Sequence, residues 1–279
     1  CDEYTHKDRR VHVIHQENGG LSAARNAGID WVFANSDSQW LTFVDSDDWI
    51  HPEMLERLYH AAVKLHVSVS VCGYMETAEE EVSVDIDQSP PQEWKAETFY
   101  VERNTNATVA WGKLYRISCF ARIRYPIGKI HEDEYTTYQV LFALDKIAYI
   151  PDALYFYQVN NEGITKSAWT PKKLDAISAI EEQILFFHRH HYAQAYQKAV
   201  KRYLWLLCYN YRQANASPDI NPNIAKTLQR KMRKTLQELR KRCCLSLEEY
   251  PWAYEAAYPQ FMKYYWLFHA LKSKFKKGG

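Results

Sequence analysis

At 279 residues the chain can form one large domain, or a domain with a sizeable extension. Hydrophobic residues at 47% and charged residues at 25% exclude global disorder, and no apolar run approaches a membrane span. The net charge of +1 hides a divide: residues 1–169 hold 15 Lys/Arg against 26 Asp/Glu (−11), and residues 170–279 hold 20 against 8 (+12). Two regions with different partners are expected from that asymmetry.

Residues 1–10 read as the end of an amphipathic helix feeding a strand, Val11–His15, whose residues alternate. Asn18-Gly19-Gly20 breaks it, and residues 21–33 read as a helix with small residues at Ala23, Ala24, Ala27 and Gly28. A strand over 40–44, a helix over 52–65 that starts on a proline, and a strand over 67–72 follow. Strand, helix, strand, helix, strand is the signature of an α/β fold with a parallel sheet. Residues 76–98 are acidic and interrupted by Pro90-Pro91, as an exposed excursion would be. Residues 135–144 read as a helix, and IAYIPDALYFYQV reads as two short strands about a Pro-Asp turn. After Trp169 the pattern is helical, broken near Ser217-Pro218 and Asn221-Pro222.

The six cysteines, at 1, 72, 119, 208, 243 and 244, have no metal-type spacing, and read as free thiols in a reducing compartment. No signal peptide is visible. These features point to a cytoplasmic protein, with attachment to the inner face of the plasma membrane left open.

Three carboxylates, Asp45, Asp47 and Asp48, end the apolar run 40–44. Carboxylates crowded at a strand end repel one another unless a positive group sits among them. A hard cation, Mn²⁺ or Mg²⁺, held by one or two carboxylates and by substrate diphosphate oxygens, would meet that need. A solvated turn capping the next helix is the plainer alternative. Asp133, flanked by Glu132 and Glu134 before a helix, suits either a general base or dipole stabilisation of the helix N-terminus. Gly19-Gly20, opening a helix, could offer N–H groups to an anion or simply make a turn, and Arg25 and Asn26 could reach the same place or merely be packed.

Taken together, QENGGLSAARNAGI, FVDSDDWIHPEML, GKLYR, GKIHEDE and ALYFYQVNNEGIT closely resemble bacterial family 2 glycosyltransferases. The resemblance covers about residues 1–166 and implies a GT-A-type, Rossmann-like domain over 1–169 followed by a basic helical extension over 170–279. It implies an inverting enzyme that takes a sugar from a nucleotide-sugar, a UDP-sugar by family habit, to a glycan or lipid-linked acceptor in capsule or exopolysaccharide synthesis. Asp47 would be the direct metal ligand, and Asp45 a metal or ribose contact. Asp133 would be the catalytic base with Glu132 in support, and Gly19, Gly20, Arg25 and Asn26 would flank the nucleotide pocket. Family members begin with a strand, a helix and a strand ending in an Asp-Asp-Gly-Ser-type turn. Nothing here matches these, so by the resemblance roughly 50 residues are lacking ahead of Cys1. Gln158 stands where the family often has Arg. The rival expectation is a non-catalytic remnant, a membrane-associated binding module without a complete donor site. A phosphatase-type Asp-x-Asp hydrolase is disfavoured by Trp49 after Asp48.

Residues 224–244 and 261–277 are rich in Lys and Arg, and Phe261, Tyr264, Phe268, Leu271 and Phe275 recur at helical steps. Such segments suit an anionic membrane surface or helices packed on the catalytic domain. No nucleic-acid-binding module is recognisable, so nucleic acid is not an expected partner.

Overall fold

The computed structural model describes residues 1–78, 86–159, 168–217, 222–241 and 249–265. The chain divides into two compact units, residues 1–167 with 189–195, and residues 168–188 with 196–279.

The first unit holds α1 (Asp2–Lys7), α2 (Gly20–Asn35), β1 (Trp40–Leu41), β2 (Trp49–Ile50), α3 (Met54–Lys64) and β3 (Val69–Thr77). It continues with β4 (Gln92–Trp94), α4 (Ala96–Glu102), α5 (Asn104–Thr108), β5 (Lys113–Arg116), α6 (Glu132–Phe142) and β6 (Ile147–Gln158). The sheet order is β1-β5-β3-β6-β2, with β4 also paired to β6. Among the described strands, β3 and β6 pair parallel and every other pair is antiparallel. The α/β class therefore stands, but the sheet is mixed and not parallel throughout. β5 follows α5 after a short link and returns beside β3 in the opposite sense, where a parallel neighbour would have needed a full crossover.

β3 lies between β5 and β6 and is buried along Val69–Gly73, which accounts for its nearly continuous apolar sequence. α3 covers it with Met54, Leu58, Ala61 and Ala62, which share one core cluster with Cys72, Leu114, Ile150 and Leu154. IAYIPDALYFYQ is one strand and not two. Cys72 pairs with Ile150 and Gly73 with Ala153, so Pro151 and Asp152 bulge out of the ladder. A Cβ on Gly73 would lie 2.3 Å from the Pro151 carbonyl oxygen, so the bulge requires glycine there.

Val11–His15 forms no strand. Its alternation would need a neighbouring strand to take its backbone groups. Instead the segment is tied by side chains, with the His12 ring 4.5 Å from Trp31 on α2 and His15 2.9 Å from Asp2 on α1. The strand expected over 40–44 shortens to two residues. Thr42 Oγ1 donates to the Lys113 carbonyl (2.6 Å), and Phe43 turns into a cluster with Tyr115, Phe120 and Tyr125.

The second unit is helical, with α7 (Asp175–Arg189), α8 (Ala193–Ala216), α9 (Pro222–Lys241) and α10 (Pro251–Ala257). Trp169 Nε1 donates to Asn210 Oδ1 (2.8 Å), and Met232 of α9 lies against Cys208 of α8. Among the described residues no helix is long and apolar enough to cross a membrane. Cys72 and Cys208 are buried free thiols. Cys243, Cys244, Phe268, Leu271, Phe275 and the NNEGIT segment lie outside the described residues.

Candidate active site

α2 begins where Gly20 adopts φ +79°, a conformation that favours glycine, and its N–H donates to Asn18 Oδ1 (3.1 Å). From this start the helix turns Ser22, Arg25 and Ile29 inward, one turn apart. Arg25 is thus a guanidinium in the interior, only 6% exposed, packed near the Phe43 and Tyr125 rings. An isolated charge could not stay there. Three carboxylates hold it: Asp45 Oδ1 at 2.9 Å from Nη2, Glu132 Oε1 at 2.5 Å from Nη1, and Asp133 Oδ1 at 3.7 Å. Burial works against its charge, but the surrounding groups, Asp133 and Asp45 foremost and Glu132 among them, together outweigh that and keep Arg25 protonated.

Glu132 and Asp133 reach the guanidinium because α6 starts abruptly. His131 sits in the left-handed region (φ 59°, ψ 42°), an uncommon conformation for a residue with a side chain. It turns the chain so that Glu132, Asp133 and Glu134 form the first helical turn, where the dipole favours negative charge. One guanidinium for three carboxylates leaves a local excess of negative charge. Burial and then the charge of Asp133 push the Glu132 carboxyl up, against the pull of Arg25. Lys113 does not make up the deficit: complete burial lowers its ammonium to about 7. Its Nζ donates to the carbonyls of Val109 (2.5 Å) and Trp111 (3.2 Å).

The Asp triplet is a built turn whose members differ. Tyr155 on β6 donates to Asp48 Oδ2 (2.6 Å) and accepts from the Asp45 N–H (3.1 Å). The Gln158 N–H donates to Asp48 Oδ1 (2.9 Å), so both oxygens of Asp48 are occupied. The Tyr155 ring lies flat on Trp111, centroids 4.4 Å apart. Asp47 is exposed and has no hydrogen-bond or ion-pair partner among the described residues. Among these residues no group of three or more His, Cys, Asp or Glu forms a ready cation cage. Asp47 and the remaining oxygen of Asp45 make a smaller donor set. It fits a hard cation whose other ligands are substrate and water oxygens.

Among the residues singled out from sequence, Arg25, Asp45, Glu132 and Asp133 are brought together directly. Asn26 clamps a loop: its Nδ2 donates to the Tyr125 carbonyl (2.8 Å) and its Oδ1 accepts from the Tyr125 N–H (2.9 Å). Gly19 and Gly20 are exposed at the start of α2. Tyr155, with Trp111 stacked behind it, and the buried Lys113 are not singled out by the sequence. The WGKLYR and ALYFYQ strings contain them, but nothing in one sequence says that the Tyr155 hydroxyl meets the Asp turn or that Lys113 is buried.

Residues 1–126 match the family model described as Glycosyl transferase family 2. Glycosyltransferase GlyA of Streptococcus pneumoniae is 32% identical over 204 residues, covering 66% of this chain and 27% of GlyA. EpsH of Bacillus subtilis is 26% identical over 215 residues, covering 74% of this chain and 61% of EpsH. The chain therefore spans less than two thirds of these curated relatives. Among solved structures, Staphylococcus aureus TarS 1–349 superposes with a TM-score of 0.60 at 14% identity, covering 91% of this chain and 73% of TarS 1–349. A second TarS 1–349 structure, in complex with UDP-GlcNAc, gives 0.57, with 83% and 78% covered. The likeness to TarS is one of fold.

Proposed function

We propose that this chain, a member of glycosyl transferase family 2 through residues 1–126, moves a sugar from a nucleotide-sugar to a hydroxyl of a glycan or lipid-linked acceptor in cell-surface polysaccharide synthesis. The observation that carries the reading is the Arg25 hub, which ties the Asp turn to the first turn of α6. A UDP-sugar donor is inferred from the UDP-GlcNAc bound by the TarS neighbour.

In this reading Asp133 is the general base. Its carboxylate takes the acceptor hydroxyl proton as that oxygen attacks the anomeric carbon, opposite the departing diphosphate, and the configuration inverts. Its side chain is 19% exposed, open enough to meet an acceptor yet held by Arg25. Glu132 and Arg25 orient it, and the raised carboxyl of Glu132 limits the excess of negative charge beside Arg25. Gly19, Gly20 and Asn26 flank the nucleotide. Asp47, with Asp45, would hold Mn²⁺ or Mg²⁺. Bound there, the ion would supply Lewis-acid stabilisation of the diphosphate charge. The positive balance of residues 170–279 supports contact with an anionic membrane, where a lipid-linked acceptor would lie.

The test is a thermal-shift titration of UDP with and without Mn²⁺, on the wild type and Asp47→Asn. Stabilisation that needs the metal and is lost in the variant supports a donor site. Absence of any shift with UDP and Mn²⁺ contradicts it and favours a non-catalytic binding module.

A further inference from the structure

The second unit carries a surface that the proposed chemistry does not use. The 24 residues of α8 include no Asp or Glu, only Lys198, Lys201, Arg202 and Arg212 as charged residues. The core side of the helix is Tyr203, Leu204, Leu207, Cys208, Asn210 and Ala214, all buried. On the opposite side Lys201, Trp205, Tyr209 and Arg212 follow one another at steps of four, four and three, and all are exposed. Residues so spaced lie in one row on a helix. Trp205 is 54% and Tyr209 38% exposed, and their rings stack on each other with centroids 5.3 Å apart and planes 7° apart.

Two adjacent exposed aromatics with a cation a turn beyond each end are costly to leave in water without a purpose. Each ring gives one face to the other, so the row presents edges, the indole N–H and the phenol O–H, more than open faces on which a sugar could lie. Neither polar tip has a hydrogen-bond partner among the described residues. An apolar ring body with a wet tip, beside Lys and Arg, is the chemistry that sits at lipid headgroup level. Charge points the same way. On α9, Lys226, Arg230 and Arg240 are exposed on one face, with no ion-pair partner among the described residues. We infer that the Lys201–Trp205–Tyr209–Arg212 row of α8 is a docking surface for an anionic phospholipid bilayer. Trp205 and Tyr209 enter the headgroup layer, and Lys201 and Arg212 meet lipid phosphates. The inference extends the membrane contact proposed above and does not depend on the chemistry at Asp133, so vesicle binding and sugar transfer can fail separately.

Co-sedimentation of the full chain with phosphatidylglycerol–phosphatidylethanolamine vesicles, against phosphatidylcholine alone, tests it at low and high salt. The wild type should sediment with the anionic vesicles and be released by salt. Trp205→Ala/Tyr209→Ala and Lys201→Glu/Arg212→Glu should each weaken partitioning by at least about tenfold, with unchanged circular dichroism because the residues are exposed. Wild-type protein left in the supernatant, or variants that sediment as well as wild type, would overturn the assignment. So would variants that lose self-association or retention on an anionic polysaccharide column while still sedimenting with the vesicles. That last result would make the row a protein or glycan contact.

Discussion

Arg25 and Glu132, 107 residues apart in sequence, form a buried ion pair of 2.5 Å whose side chains are 5% and 7% exposed. Breaking such a pair from the cationic side strands the carboxylates. Arg25→Gln should destabilise the protein by about 3–5 kcal/mol in urea unfolding. Arg25→Lys should recover only part of this, because an ammonium cannot serve Asp45 and Glu132 as a planar fork does. A loss below about 1 kcal/mol for Arg25→Gln would mean that the hub is not what holds α6 to the Asp turn.

The Glu132 carboxyl gives a pH signature. Burial first, then the charge of Asp133, raise its pKa from the ordinary carboxylate value of 4.5 to about 7. Between these values the folded state keeps a proton that the unfolded chain has lost, so stability falls as pH rises through that window. Glu132→Gln cannot ionise and should lack this slope. Comparing urea midpoints near pH 5 and near pH 8, the variant should gain on the wild type by about 1–3 kcal/mol. Parallel pH profiles for the two proteins would show that Glu132 is ionised throughout.

Tyr155→Phe removes the hydroxyl that joins Asp45 and Asp48 while keeping the ring on Trp111. The cost to stability should be about 2 kcal/mol, as for a hydrogen bond to a charged group. Its larger effect should be on the turn that carries Asp47. UDP binding in the presence of Mn²⁺ should weaken several-fold in a calorimetric titration. Unchanged binding would mean the turn holds its shape without the tyrosine.

Much of this arrangement was legible in the sequence and some was not. The Asp triplet, the helix start at Gly19-Gly20 and the Glu132-Asp133 pair stand out because local chemistry marks them: crowded charge, a glycine turn, acids at a helix N-terminus. Arg25 was visible as a residue, but its burial among three carboxylates depends on Asp45, 20 residues on, and on the start of α6, 107 residues on. Val11–His15 misled because alternation reports two faces and not the presence of a neighbouring strand. Pro151-Asp152 misled because a turn dipeptide can equally be accommodated as a bulge when its partner strand offers Gly73.

Gly73 pairs with Ala153 across this bulge and leaves no room for a side chain. Gly73→Ala would set a methyl group 2.3 Å from the Pro151 carbonyl oxygen and 2.9 Å from that of Asp152. Both are backbone atoms that cannot rotate away. The variant should lose about 2–3 kcal/mol, read as a lower melting temperature. Wild-type stability would contradict the bulge register.

Whether Asp133 takes the acceptor's proton is decided by one paired measurement. Wild type and Asp133→Asn would be compared for sugar transfer to an acceptor glycan, followed as UDP release, and for UDP-sugar binding with Mn²⁺. Turnover should fall by about 10²–10⁴-fold, while donor affinity stays within a factor of about two. Transfer by Asp133→Asn close to the wild-type rate would contradict the assignment and move the base elsewhere in the site.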